Sequence, residues 1–345
     1  MASQNGGSFR LNVLSPGGRD PEQHFGAMAN DSPGSHAPVN YHAYAACTGG
    51  SFFRDTARAI QAGDPVLLLL RGDFRDSERA LFALKKAKVP TAVTLKETGL
   101  QQIAKHLRDR GKLSRFLKIV DEADGCIAPT AEAAELYRMV RRHEKGVMFI
   151  PTPYPTHDPR WNFARSFHER RGIFVGTREW DVPSRNHVAA LLAARQISEL
   201  TGQRIAVYDF AGRTGARLLA EMGMDEAKLE VRTKRVPYVD YLRVLAGHKI
   251  VFQLDSSFVP GQVAGDALLC RIPCIGGNGA VDRLGFPDLC GSDRSLGELI
   301  DLVIELLQDA KAYENAVASS QERATEHLSF SSVSDQLARF FATLG

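Results

Sequence analysis

Short apolar runs alternate with amphipathic stretches along the chain, and this alternation predicts most of its elements. Residues 65–71 (PVLLLLR) are a continuous apolar run, as expected of a strand covered on both faces. Residues 10–14, 39–46, 90–95, 125–128 and 147–150 read as further strands, with 39–46 the most mixed in polarity. Between them, apolar positions spaced by three and four predict helices over 52–62, 77–87, 100–123 and 131–142. Strand and helix in alternation imply right-handed crossovers and a parallel sheet.

The pattern breaks at residues 151–159, which hold four prolines (Pro151, Pro153, Pro155 and Pro159). Proline fixes φ and cannot join a central ladder, so this stretch predicts an extended connector. Beyond it the same grammar resumes. Strands are expected at 172–177, 204–208, 229–233, 249–254 and 272–275, with helices over 186–200, 239–246, 262–270, 296–308 and 332–344. Ser295 followed three residues later by Glu298 is a capping box for the helix at 296. The expected organisation is an N-terminal domain over 1–155, a linker over 156–171 and a second domain over 172–328. A last helix within 329–345 is expected to pack back on the first domain.

Composition narrows the class. A length of 345 residues suits two domains, and 44% hydrophobic with 24% charged residues is ordinary for a globular chain. No apolar run approaches the roughly 18 residues that span a bilayer, and residues 1–8 lack signal-peptide character, so a cytoplasmic location is the expectation. The five cysteines (Cys47, Cys126, Cys270, Cys274 and Cys290) are scattered without a Cys-x-x-Cys pair, which argues against a disulfide framework or a zinc site. A net charge of +3 is too small to argue for nucleic acid.

In an open parallel sheet, ligands sit at the carboxyl ends of strands, where helix amino ends attract anions. That rule selects several loops. Ser15-Pro16-Gly17-Gly18 follows the first strand, and its glycines allow close backbone approach to a phosphate or sugar. Gly176-Thr177-Arg178, with Arg185 seven residues on, offers two guanidinium groups beside a helix start, suited to a diphosphate. Val236, in the loop Lys234-Arg235-Val236-Pro237-Tyr238, is a candidate backbone contact for a nucleobase. After the strand at 249–254 come Ser256, a Pro260-Gly261 turn, and the amides of Gly261, Gln262 and Val263 at a helix start. Asp266 lies one turn inside that helix. The amides suit a phosphate, and the carboxylate suits vicinal ribose hydroxyls. On the first domain, Asp73 and Glu97 stand in loops after strands, each a candidate general base or acceptor-positioning group, and His24 and His42 are further candidates.

The segment from Asp255 to Gly277 resembles the donor-site motif of GT-B glycosyltransferases, especially the retaining glycogen-synthase-like group. Asp266-Ala267-Leu268 and Ile272-Pro273-Cys274-Ile275-Gly276 match its frame. Arg178 and Arg185 resemble the family's basic pair on the donor diphosphate, and Pro151-Thr152-Pro153 resembles its interdomain linker. One departure is plain: Phe258 stands where the Glu-x7-Glu pattern has its first glutamate, so that contact to the donor sugar is absent. The resemblance implies an α/β fold of two Rossmann-like, doubly wound domains facing across a cleft. It also implies metal-independent transfer of a sugar from a nucleoside diphosphate sugar to a glycan, lipid-linked or small-molecule acceptor, with no cofactor beyond the nucleotide-sugar co-substrate. Expected donor contacts are Gly17, Gly18, Arg178, Arg185, Val236, Ser256, Gly261, Gln262, Val263 and Asp266, and expected catalytic groups are Glu97, Asp73, Arg178 and Arg185. Two alternatives stay open: a DNA-modifying transferase of phage type, and a nucleotide-sugar-binding module without turnover. Peripheral membrane contact is compatible with either enzyme reading.

Overall fold

A computed structural model describes residues 9–26, 36–97, 99–142 and 146–344. The chain divides into two compact units, Met1–Pro155 with Ser329–Gly345, and Thr156–Leu328.

The first unit contains, in chain order, β1 (Asn12–Leu14), β2 (Gln23–His24), α1 (Tyr41–Ala46), β3 (Ser51–Phe53), α2 (Thr56–Ala62), β4 (Val66–Leu70), α3 (Arg75–Lys86), β5 (Thr91–Leu95), α4 (Leu100–His106), α5 (Arg110–Glu122), β6 (Gly125–Ala128), α6 (Ala131–Val140) and β7 (Val147–Phe149). The strands order as β2-β3-β1-β4-β5-β6-β7. All neighbours pair in parallel except β2 against β3. The apolar run of β4 is explained by its position: Val66, Leu68 and Leu70 enter one core cluster with α2, α3, α5 and α6, while Leu67 and Leu69 enter another on the opposite face. That second cluster also takes Val333, Leu337, Phe340 and Phe341 from the chain's last helix.

The second unit contains β8 (Ile173–Val175), α7 (His187–Thr201), β9 (Ile205–Tyr208), α8 (Arg213–Glu221), β10 (Leu229–Arg232), α9 (Tyr238–Leu245), β11 (Ile250–Phe252), α10 (Gln262–Cys270), β12 (Cys274–Ile275), α11 (Ala280–Gly285), α12 (Leu296–Gln308) and α13 (Ala310–His327). The last helix, α14 (Phe330–Ala342), belongs to the first unit. The second sheet is parallel, in the order β10-β9-β8-β11-β12. Strand order therefore reverses between β8 and β11, and the crevice beyond their carboxyl ends is the topological switch point. Residues 156–171 lie against this unit: Arg170, 1% exposed, donates to the Arg165 and Cys270 carbonyls.

Several elements differ from the expectation. Residues 39–46 hold a helix and not a strand, because Tyr41, Tyr44 and Ala45, spaced by three and four, all face the core. The helix expected over 52–62 begins only at Thr56. Phe52 and Phe53 belong to β3, and Asp55 caps α2 by accepting from the Ala57 and Arg58 amides. The helix expected over 100–123 is two, with Asp109 capping the second through the Lys112 amide. The helices α8, α11 and α13 were not foreseen; α13 buries only Tyr313, Ser320 and Ala324 of its 18 residues, too sparse an apolar face to leave a periodic signal. The five cysteines are free. Among the described residues, no helix is long and apolar enough to cross a membrane.

Candidate functional site

At the switch point of the second sheet, two loops are brought together by the absence of a side chain. Gly176, just after β8, has its amide on the Phe252 carbonyl of β11. A Cβ at Gly176 would lie 2.6 Å from Val263 Cγ1, so only glycine lets the amino end of α10 approach the β8 exit this closely. Gly176 and Val263 are therefore in contact. The start of α10 has no side-chain cap, and its N-cap residue Gly261 sits at φ 92°, in the left-handed region. Helix-start amides without partners, with the positive end of the helix dipole, suit an oxyanion. Phe258, in the loop leading to this helix, is held at φ 50°, a conformation uncommon for a bulky residue.

A second set of contacts joins the β8–α7 and β11–α10 loops. Arg185 pairs with Asp255, which is 4% exposed and also accepts the Ser257 amide at 2.8 Å. The Ser256 amide donates to the Ser184 carbonyl at 2.8 Å, and Asn186 Nδ2 donates to the Leu254 carbonyl at 2.8 Å and to Ser256 Oγ at 3.1 Å. Arg185 and Ser256 are thus engaged in holding the two loops, whereas Arg178 is half exposed, with its nearest carboxylate, Glu179, 4.0 Å away. Arg178 and Arg235 both lie over the Phe210 ring, at 5.7 and 5.3 Å. Val236 is exposed in the same loop as Arg235.

Asp266 is placed differently from an open ribose acceptor. It is 2% exposed, and its Oδ1 accepts from the Tyr238 hydroxyl at 2.5 Å. Burial pushes its carboxyl up to about 7, against the hydrogen bonds of Tyr238 and Tyr241 and the charge of Arg178. A ribose hydroxyl reaching this carboxylate would have to displace Tyr238. Asp282, unforeseen from the sequence, is its counterpart at the start of α11. Its Oδ1 accepts from Gln253 Nε2 at 2.8 Å, and burial together with the nearby Asp255 charge raises its carboxyl to about 7. The glycines at 277 and 279 pack directly on this carboxylate: a Cβ would come within 2.2 and 2.7 Å of its oxygens. An acidic residue in the first turn after Gly276-Gly277-Asn278-Gly279 was the signal that could have found it. His187, at the start of α7, bonds Thr177 Oγ1 through Nδ1 at 3.0 Å, and burial lowers its pKa to about 4.

In the first unit the strand order also reverses, between β1 and β4. Ser15-Pro16-Gly17-Gly18 closes a turn after β1, with the Gly18 amide on the Ser15 carbonyl at 3.0 Å and Gly17 at φ 66°. Glu97, after β5, is partly buried, and its Oε2 has no hydrogen-bond partner among the described residues. Asp73 is exposed, two residues before α3, and accepts the Arg75 amide at 3.1 Å; that bond, foremost, holds its carboxyl below the usual range. His42 is a core residue, stacked on Phe52 with ring centroids 3.8 Å apart and lowered by burial to about 4. His24 bonds Ser51 Oγ at 2.8 Å. No group of three or more His, Cys, Asp or Glu that could hold a metal occurs among the described residues.

Comparison with solved structures gives matches over nearly the whole chain. Anabaena HepE in complex with UDP superimposes with a TM-score of 0.64 at 12% identity, covering 97% of this chain and 100% of that one. Sucrose-phosphate synthase from Thermosynechococcus elongatus gives 0.64 at 13% identity, over 97% and 99%. The α,α-trehalose 6-phosphate synthase from Burkholderia multivorans gives 0.60 at 9% identity, over 98% and 97%. The fold is GT-B.

No protein-family model matches the chain, and no curated protein sequence does. At 9–13% identity the likeness lies in backbone architecture alone. Within that GT-B framework, the second unit's switch point sets Gly176 against Val263, and Arg178, two residues beyond Gly176, lies over Phe210, whereas Asp266 and Arg185 are tied to protein partners.

Proposed function

We propose that this chain is a glycosyltransferase that moves a sugar from a nucleoside diphosphate sugar to an acceptor hydroxyl. The observation that carries the reading is the uncapped amino end of α10, admitted to the β8 exit by Gly176 at the reversal of strand order. Departure of the nucleoside diphosphate places negative charge on phosphate oxygens, and preorganised amides with a nearby guanidinium lower the energy of that charge. Arg178 and the Gly261-Gln262-Val263 amides fill that role in this reading, with no metal required. The bond from anomeric carbon to phosphate oxygen breaks, the acceptor oxygen bonds the anomeric carbon, and the acceptor proton leaves to a base. Glu97, whose Oε2 is buried without a partner among the described residues, is our candidate to receive that proton or to orient the acceptor. HepE has been solved with UDP and with UDP-glucose, which makes a uridine donor the first to test.

A second reading, a binding module without turnover, draws on Phe258 in place of a first carboxylate and on the engagement of Asp266 with Tyr238. Incubation with UDP-, GDP-, ADP-, TDP- and CMP-sugars, with nucleotide release and thermal shift read together, separates the two. Release from one donor class, abolished in Arg178→Gln, is the expected result. Stabilisation by a nucleotide sugar without release supports the module, and neither response from any donor overturns both. A DNA acceptor would add steeply salt-dependent DNA binding.

A further inference from the structure

The first unit carries polar groups that its own fold leaves unmatched. Ser15, at the end of β1, is 0% exposed, and among the described residues its hydroxyl has no hydrogen-bond partner. Arg71, at the end of the adjacent strand β4, is partly buried, and its Nη1 is likewise without a partner. Both converge on Gly18: a Cβ there would lie 2.5 Å from Arg71 Nη1 and 2.6 Å from Ser15 Oγ, so glycine is what lets the guanidinium lie against the turn. A buried hydroxyl and a buried guanidinium nitrogen left unbonded are costly to a fold, and an oxyanion matches both. The surrounding charges are accounted for. Lys96, after β5, bonds Asp20 at 2.5 Å. Burial works against the Asp20 carboxylate, but the Lys96 bond and charge, with further help from His42 and Arg71, hold it below the usual range. Asp76, beside Gly17, pairs with Arg79. The Glu97 Oε2, after the same strand as Lys96, is an unmatched acceptor suited to a hydroxyl.

We infer that the first unit holds an oxyanion subsite made by Arg71, Ser15 and the Gly17-Gly18 turn, and that it takes a phosphate carried by the acceptor, with Glu97 serving an acceptor hydroxyl. The inference rests on the transferase reading and moves Gly17 and Gly18 from the donor to the acceptor. A phosphate could also come from the donor's diphosphate, and the test separates the sources. Binding to the full chain is measured by calorimetry with inorganic phosphate, glucose 6-phosphate, glucose and UDP. Phosphate and glucose 6-phosphate are expected to bind saturably and glucose far more weakly. Arg71→Gln is expected to weaken glucose 6-phosphate at least tenfold while UDP changes less than twofold. Ser15→Ala removes an unpartnered hydroxyl and so leaves the fold intact; it should weaken the same ligand about threefold to tenfold even if Arg71→Gln folds poorly. Absence of phosphate and glucose 6-phosphate binding to the wild type overturns the inference, as does unchanged affinity in Ser15→Ala. Loss of UDP in place of glucose 6-phosphate would assign the subsite to the donor. A chain that binds phosphate but never releases nucleotide from any donor would defeat the transferase reading and spare the subsite.

Discussion

Gly176→Ala tests whether the close approach of α10 to the β8 exit matters. The new methyl would stand 2.6 Å from Val263 Cγ1, with Val251 Cγ1 at 3.3 Å and Gln253 Oε1 at 3.5 Å closing off other directions. Ordinary carbon contacts lie near 3.5–4.0 Å, so α10 must retreat by roughly 1 Å. Overpacking of this kind costs about 1–3 kcal/mol. For a unit of this size, each kcal/mol lowers the melting temperature by roughly 2–4 °C, so a fall of about 2–12 °C is expected. A 1 Å displacement of preorganised groups also weakens their action, and UDP affinity should drop roughly 10- to 100-fold. Val263→Ala deletes the clashing methyl, so Gly176→Ala/Val263→Ala should regain most of both quantities, a coupling that a double-mutant cycle reads directly. Thermal melts and calorimetry with UDP on the four proteins suffice. If Gly176→Ala melts lower yet binds UDP within threefold of wild type, the geometry at this exit is structural only. If the double variant recovers nothing, Val263 is not the group displaced.

Three further outcomes are expected. Arg185→Gln leaves Asp255 buried without its guanidinium and should cost about 3 kcal/mol in urea unfolding, largely restored by adding Asp255→Asn; an unchanged midpoint would show that the loop zipper contributes nothing. Asp266 holds its proton to about pH 7 when folded but only to about 3.8 when unfolded, so its ionisation removes stability as pH rises through that window, by up to about 1.4 kcal/mol per unit. His187 and His42, lowered to about 4, act in the opposite sense between 4 and 6.5, so the informative quantity is a difference. Asp266→Asn keeps an acceptor for Tyr238 and should gain stability relative to wild type from pH 4 to 7 and no further above it; a flat difference would contradict the assignment. Glu97→Gln should lower kcat roughly 100-fold or more while UDP affinity stays within twofold, and unaltered transfer would remove it from the mechanism.

Much of this was legible in the sequence because it follows from local pattern. The run at 65–71 announced a strand covered on both faces, and Val66 to Leu70 do alternate between two cores. The turn at Pro260-Gly261 announced the start of α10, and Gly176-Thr177-Arg178 was recognisable as a strand exit. What escaped depends on partners distant in sequence. Nothing near Asp266 announces that Tyr238, 28 residues earlier, occupies its carboxylate, and nothing near Arg185 announces Asp255, 70 residues on. Position alone made both look available to a ligand. The unmatched Ser15 and Arg71 escaped for the same reason: being unpartnered is a property of three dimensions. The misread elements share another cause, since Tyr41, Tyr44 and Ala45 satisfy a helical face as readily as a strand of mixed polarity.

The central claim is that the amino end of α10 holds the diphosphate of the donor. The amide signals of Gln262 and Val263, followed in isotope-labelled full-length chain during titration with UDP and then GDP, test it most directly. The account predicts saturable shifts at these two amides and at Thr177 and Arg178 with one of the nucleotides, suppressed in Gly176→Ala. Saturable binding that leaves those four amides unmoved would contradict it.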